Sequence, residues 1–99
     1  MPRSKPRPLE AGEIQAALAN LPGWSGDQNG LEKTFVFADF RAAMSFMHAC
    51  VEGIESRDHH PSWCNRYKSV EVQLNTGEAG HRVTERDIDL AAFLNAQAT

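Results

Sequence analysis

The segment from Glu55 to Trp63 carries the side chains best suited to chemistry. It reads Glu-Ser-Arg-Asp-His-His-Pro-Ser-Trp, which places two adjacent imidazoles, His59 and His60, among carboxylates, a proline and an indole. Histidine is the side chain whose ordinary titration falls nearest to neutral pH. The segment should connect a helix to a strand, and functional residues often collect on such loops. The pattern therefore indicates a compact acid–base site.

The neighbours of the two histidines suggest how such a site would work. Adjacent residues of an extended segment point to opposite faces, and Pro61 favours an extended His60. One imidazole can then face a pocket floor while the other approaches from the rim. Glu55 or Asp58 could fix a histidine tautomer for general acid–base catalysis. Trp63 could stack against a flat ligand.

Other interpretations of the same residues stay open. Adjacent histidines in a loop are usually solvated surface residues, and a motif match is a hypothesis with a false-positive risk. A small histidine-based metal site is a weaker hypothesis, because the sequence has no His-x₃-His or Cys-x₂-Cys spacing. Cys50 and Cys64 are not spaced as metal ligands either. We therefore predict no metal site, and a reduced, cytoplasmic location.

Composition limits the class of protein. With 99 residues, 41% of them hydrophobic and 23% charged, the chain should form one globular domain. Arg3, Lys5 and Arg7 make the first eight residues basic, so the remainder is more acidic than the net charge of −3. This balance argues against nucleic-acid binding, which needs clustered basic residues, and the apolar runs are too short to span a membrane. We expect a disordered basic leader at residues 1–8 and a single domain at residues 9–99.

Periodicity predicts the first elements. Apolar residues at helical spacing predict a helix over residues 11–20 that ends at Pro22-Gly23. The Asn29-Gly30 pair is typical of a two-residue turn, which should join a strand containing Trp24 to a strand over residues 31–37. Asp39 should then be the N-cap of a long helix that runs to about residue 56.

The long helix has two apolar faces. We expect its inner stripe to contain Phe40, Ala43, Met44, Met47, Val51 and Ile54. A second face contains Phe46, Ala49 and Cys50. A helix with two apolar faces is either deeply buried or shared with a partner subunit, and in so small a chain a partner is favoured.

The remaining elements complete an α+β pattern. Strands are predicted over residues 63–66 and 67–75, and Thr84 with Asp87 forms a capping box for a last helix. Its inward face should contain Ile88, Ala91, Ala92 and Leu94. The order α-β-β-α-β-β-α predicts a four-stranded antiparallel sheet with helices packed on one face.

Four groups of residues resemble the pterin-4a-carbinolamine dehydratase family. They are Glu55-x₃-His59-His60-Pro61 followed by Trp63, Asn65 and Tyr67, then the turn Leu21-Pro22-Gly23-Trp24, the region from Phe35 to Phe46 that leads into the long helix, and the run over residues 84–91. The likeness covers residues 9–94 in the same order. It implies assembly into homodimers or homotetramers, with sheets and long helices at the interfaces.

The resemblance also implies an activity. Family members dehydrate a 4a-hydroxy-tetrahydropterin to the quinonoid dihydropterin, a lyase step of tetrahydrobiopterin recycling, without a metal or bound cofactor. The resemblance makes His59 a catalytic acid and base and His60 an imidazole in contact with the pterin. It implies substrate-binding or supporting positions at Glu55, Asp58, Pro61, Trp63, Thr76 and Asp87. In this pattern Asp87 could hold a histidine through a carboxylate–imidazole bond while still capping its helix.

One position departs from the family pattern. The family carries a third active-site histidine directly after the threonine that ends the last strand, whereas here Thr76 is followed by Gly77. His81 lies four positions later in a loop whose two glycines allow bending. We predict either that His81 fills the vacant position as a third catalytic residue, or that it lies on the surface. In the second case the chain is a slow dehydratase, or a non-catalytic oligomeric protein that binds a pterin or a protein partner.

Overall fold

Three α-helices and a four-stranded antiparallel sheet make up the fold. The structure, a computed structural model, describes residues 5–99. In chain order the elements are α1 Ala11–Leu18, β1 Ser25–Asp27, β2 Gly30–Val36, α2 Phe40–Arg57, β3 Ser62–Arg66, β4 Ser69–Leu74 and α3 Glu85–Ala98, with a short 3₁₀ helix at Gly77–Ala79 before α3. The strands lie in the order β1-β2-β4-β3. The predicted α+β class and element order are confirmed.

Strands β2 and β4 present one buried face at the centre of the sheet. Leu31 pairs with Leu74, and Phe35 pairs with Val70, so apolar side chains lie beside one another on that face. Alternate residues such as Glu71 are exposed, as expected for a strand with one solvated face. Residues from all three helices join the same core, which places the helices over the buried face.

Lys33 is the polar exception on the buried face of β2. Its Nζ donates to the carbonyl of Pro22 at 2.9 Å and to Oδ1 of Asn95 at 2.8 Å, and it lies 4.4 Å from the centre of the Phe35 ring. Burial lowers the pKa of Lys33. Asn95 also accepts the indole N–H of Trp24 at 2.9 Å. This network ties the last turn of α3 to the first hairpin.

The first hairpin turns one residue earlier than predicted. Asp27 pairs with Gly30, so Gln28 and Asn29 form the two-residue turn, and the predicted Asn29-Gly30 turn is wrong. Oδ1 of Asp27 accepts the backbone N–H of Asn29 at 2.8 Å, a local bond that favours this turn. Trp24 is buried and lies just before β1 rather than on it.

Both long helices begin at their predicted capping residues. Asp39 accepts the N–H of Ala42 at 2.8 Å ahead of α2, and Thr84 with Asp87 forms the capping box ahead of α3. Side chains that accept from the free N–H groups of the first turn stabilise a helix start. The predicted inward face of α3 needs one correction, because Ala92 is exposed. The buried residues of α3 are Asp87, Leu90, Ala91 and Leu94.

The stripe that helix α2 turns inwards overlaps only in part with the one predicted. Its buried residues are Ala43, Phe46, Cys50 and Ile54, of which Ala43 and Ile54 confirm the prediction. Phe40 is 49% exposed and Val51 is 43% exposed, so these two members of the predicted inner stripe face outwards. The Phe46 ring lies 4.9 Å from the rings of both Phe35 and Phe37 on the sheet side. Packing against these aromatic rings explains which of the two apolar faces is buried.

The structure describes only part of the predicted basic leader, residues 5–8. Residues 1–4 of the predicted leader lie outside the described residues. Within the rest of it, Arg7 donates two hydrogen bonds to the Glu13 carboxylate, at 3.0 and 2.8 Å, and these lower the pKa of Glu13 to about 2. The boundary at residue 9 stays a prediction. Over residues 5–99, no helix has both the length and the apolar character needed to cross a membrane.

Candidate active site

The chain turns His59 into the protein where α2 ends. The helix ends at Arg57, and Asp58 adopts a left-handed conformation with a φ of 48°. Such a conformation is typical of the residue that closes a helix, because it redirects the chain. His59 is 8% exposed, whereas His60 is exposed. The two imidazoles therefore lie on different sides of the segment, as expected for neighbours in an extended chain.

The buried imidazole contacts a carboxylate from α3. Nε2 of His59 lies 2.6 Å from Oδ1 of Asp87. Oδ2 of Asp87 accepts the Thr76 hydroxyl at 2.8 Å and the backbone N–H of Thr84 at 2.9 Å. The two threonine hydroxyls are themselves 2.7 Å apart. Asp87 thus caps its helix and holds His59 at the same time.

This network fixes the tautomer of His59. Oδ2 of Asp87 already accepts hydrogen bonds from the Thr76 hydroxyl and the Thr84 N–H, and a carboxylate only accepts hydrogen bonds. The proton of the neutral imidazole is therefore on Nε2, and Nδ1 carries the lone pair. His59 can take a proton at Nδ1 and give it back, while Asp87 stabilises the imidazolium form. This is the arrangement that a general acid–base group needs.

His60 has its own carboxylate. Its Nε2 lies 2.5 Å from Oε2 of Glu55, in the last turn of α2, and both side chains are more than half exposed. Exposed ion pairs contribute little to stability. The contact does orient the ring, since Glu55 accepts a hydrogen bond from Nε2–H and leaves Nδ1 of His60 for another partner.

The other predicted site residues divide into two groups. Thr76 and Asp87 are 1% and 0% exposed, so they lie behind His59 rather than on the surface. Pro61 and Trp63 are half-buried beside the histidines in sequence, and the Trp63 ring lies 6.5 Å from that of Phe46. Asp58 contributes the turn described above through its backbone. Direct contact of any of them with a pterin stays a prediction.

His81 lies beside the position that Gly77 leaves without a side chain. A methyl group placed on Gly77 would be 3.7 Å from Cε1 of His81. The backbone of His81 is left-handed, with a φ of 61°, which is uncommon for a residue other than glycine. Its N–H donates to the carbonyl of Thr76 at 3.0 Å, and Thr76 forms a β-bridge with Arg82. These contacts bring the His81 ring against Gly77, although the residue as a whole is exposed.

Two features of this region were missed by sequence reasoning. Thr84 belongs to the buried network as well as to the helix cap. Arg57 links the end of α2 to α3 through a 2.8 Å contact with Asp89. The capping box was the local signal for Thr84, but no sequence pattern joins Arg57 to Asp89.

Two concave surfaces of the described chain lie away from the histidines. One, of about 500 Å³, lies beside Lys33 and Asn95, and another of about 500 Å³ lies between Phe37 and Ala49. Neither is lined by a histidine. The pocket predicted around the two imidazoles therefore stays a prediction. Among residues 5–99, no three His, Cys, Asp or Glu side chains are grouped so as to hold a metal ion.

Comparisons with known proteins give a consistent result. A family model described as "Pterin 4 alpha carbinolamine dehydratase" matches residues 7–97. A protein of Opitutus terrae named "Putative pterin-4-alpha-carbinolamine dehydratase" is 44% identical over 86 residues, which cover 87% of this chain and 89% of that protein. A protein of the same name from Rhodopseudomonas palustris is 52% identical over 85 residues, covering 84% of this chain and 83% of its own length.

Solved structures extend the likeness to three dimensions. A crystal structure described as a "transcriptional coactivator/pterin dehydratase" from Brucella melitensis has a TM-score of 0.88 and 37% sequence identity, and covers 94% of this chain and all of its own. A second structure, of a pterin dehydratase-like protein described as a RuBisCO assembly factor in the α-carboxysome, has a TM-score of 0.62. At 24% identity over 76% of this chain and 86% of that one, it shows a shared fold alone.

Proposed function

Because this chain belongs to the pterin 4 alpha carbinolamine dehydratase family, we propose that it dehydrates 4a-hydroxy-tetrahydropterin to the quinonoid dihydropterin. In this reaction the bond between C4a and its hydroxyl oxygen breaks, and the leaving oxygen receives a proton and departs as water. A base removes the proton of the adjacent ring N–H, and the nitrogen electrons form a C=N double bond. One proton is given and one is taken, so the total number of protons on the protein does not change.

The buried contact between His59 and Asp87 is the observation that carries this proposal. His59 takes and returns a proton at Nδ1, because Asp87 holds its Nε2–H at 2.6 Å. His60 lies next to it on the exposed side and contacts the pterin, oriented by Glu55. His59 thus supplies one of the two acid–base groups that the dehydration needs, and His81 is proposed below as the other.

Freshly prepared carbinolamine tests the activity. The wild-type protein should accelerate its loss over buffer, and His59→Ala should remove most of the acceleration, by ~10²-fold or more. His48→Ala removes an exposed histidine from the middle of α2 and serves as the matched control. A wild-type rate equal to that of buffer, or a His59→Ala rate equal to that of the wild type, rejects the proposal.

His81 is the proposed third catalytic residue. Its ring lies against Gly77, directly after the buried Thr76, and its left-handed backbone is a strained conformation of the sort that often occurs at functional sites. Position 77 is next to Thr76, whose hydroxyl donates to Asp87, the residue that contacts His59. This series of contacts supports a position of the His81 ring near His59. We treat His81 as the group that exchanges the second proton.

A second copy of this chain is the proposed partner of α2. The stripe formed by Phe40, Met44, Met47 and Val51 is exposed or half-buried in one chain. Covering such a stripe would remove apolar area from water. A homodimer or homotetramer should therefore form, and light scattering during size-exclusion chromatography measures it. Replacement of Phe40 and Val51 by glutamate should yield monomers, whereas a wild-type monomer rejects this part of the proposal.

The second candidate function is a non-catalytic oligomer that binds a pterin or a protein partner. The word "coactivator" in the description of the Brucella melitensis structure and the exposed stripe on α2 favour it. Pterin binding without turnover, together with a stoichiometric complex with a single partner, would support this function over catalysis.

A cytoplasmic site of action fits the cysteines. Cys50 and Cys64 are both free thiols in the structure, as expected for a reducing compartment. Fractionation of the native host, with the protein followed by antibody, tests this location.

The proposed domain, residues 9–99, can be tested by expressing it without the first eight residues, which should leave folding unchanged.

A further inference from the structure

Two parallel links join the end of α2 to the start of α3. His59 contacts Asp87, and two residues earlier Nε of Arg57 donates to Oδ2 of Asp89 at 2.8 Å. The first link belongs to the candidate active site. The second link lies outside it, and its side chains are 30% and 64% exposed. The equal spacing of the two links means that a shift of α2 along α3 would disturb both.

Arg57 makes further contacts that hold it rigidly. Its NH1 donates to the carbonyl of Gly53 at 3.0 Å, and its guanidinium carbon lies 4.4 Å from the centre of the Phe93 ring. The same ring packs so closely on α2 that a methyl group on Gly53 would lie 2.1 Å from it. A planar guanidinium can stack and donate in several directions at once, unlike an ammonium. Arg57 therefore clamps the last turn of α2 to α3.

We infer that Arg57 is a positioning residue, which acts through the backbone of α2 to set the contact between His59 and Asp87. The chain leaves α2 through Asp58, whose left-handed backbone turns it towards α3. Arg57 lies directly before this turn, so its contacts with α3 fix the point from which the chain reaches His59. Displacements of about 1 Å can reduce catalytic rates by about 10²-fold.

Two experiments test this inference. The measurement of catalytic rate rests on the proposed function, whereas the spectroscopic measurement does not. Nitrogen-15 spectra of the labelled protein detect the Nε2–H proton of His59 and its rate of exchange with water. In Arg57→Gln this exchange should be about tenfold faster, and kcat should fall about tenfold while KM changes less than about twofold. Asp89→Asn should change the exchange in the same direction, and Arg57→Lys should give an intermediate value.

The controls separate positioning from folding and from activity. Arg41→Gln removes an exposed arginine from the other end of α2 and should leave the exchange rate unchanged. Exposed pairs add little to stability, so the variants should stay folded. If Arg57→Gln and Asp89→Asn both keep the wild-type exchange rate, the inference is wrong, whatever the activity. If the exchange rate rises but the wild-type protein dehydrates no carbinolamine, the positioning role stands and the proposed function fails.

Discussion

Replacing Asp87 with asparagine should reverse the tautomer of His59. Oδ2 of Asp87 accepts the backbone N–H of Thr84 at 2.9 Å, and a backbone N–H cannot become an acceptor. The amide of the variant therefore keeps its oxygen towards Thr84 and turns its NH₂ group to His59. Nε2 of His59 must then accept a hydrogen bond, which moves the imidazole proton to Nδ1. The nitrogen that should take up a proton during catalysis is then already protonated.

The size of the effect follows from what the variant removes. The Asp87→Asn variant keeps the shape of the side chain but loses the charge that stabilises an imidazolium, so kcat should fall by ~10²–10⁴-fold. The fully buried Asp87 also loses an ionic hydrogen bond, which should lower the free energy of unfolding by roughly 1–3 kcal/mol. Most small domains have enough stability to remain folded after such a loss.

Two measurements on Asp87→Asn check the reasoning. Nitrogen-15 spectra should show the Nδ1–H tautomer in place of the Nε2–H tautomer, and the rate of carbinolamine loss should fall as stated. Glu85→Gln is the matched control, because it removes an exposed carboxylate from the same first turn of α3. An Asp87→Asn protein that keeps the Nε2–H tautomer and a rate within about threefold of the wild type would refute the assigned role of Asp87.

Four further predictions follow from particular contacts and exposures. His81→Ala should slow dehydration by ~10²-fold, and adding Gly77→His to it should restore part of the rate, because the two positions share one space; unchanged activity in the single variant counts against His81. Gly53→Ala should lower the free energy of unfolding by about 1–3 kcal/mol in a denaturant titration, since its methyl group would meet a phenyl ring at 2.1 Å. Burial raises the pKa of Cys50 from 9.0 to about 11, so its contribution to stability should be lost as pH rises from 9.0 to 11, which pH-dependent melting measures. At pH 8 a thiol reagent should modify the exposed Cys64 and leave Cys50 intact, and equal reactivity would contradict this assignment.

Features set by neighbours in sequence could be predicted. The caps at Asp39 and Thr84 depend on residues within three positions, so their residue types were sufficient. Strand β4 alternates buried and exposed residues, and its period of two was visible in the sequence. The order of elements followed from these local signals.

Features set by packing were harder to predict. Helix α2 has two apolar faces, and Phe46 rather than Phe40 is buried because it packs on Phe35 of β2 and on Phe37 just after that strand. The contact between Arg57 and Asp89 joins residues 32 positions apart, and neither their residue types nor their spacing predicts it. The family resemblance, and not periodicity, predicted that Asp87 could hold a histidine, and the structure identifies that histidine as His59, 28 positions away.

The central claim is that the imidazole of His59, held by Asp87, moves the proton in carbinolamine dehydration. The most direct measurement is the rate of carbinolamine loss with His59→Ala, before and after addition of free imidazole. We predict that the His59→Ala protein has a rate near that of buffer, and that free imidazole then raises this rate towards the wild-type value. A His59→Ala protein that matches the wild type without added imidazole would contradict the claim.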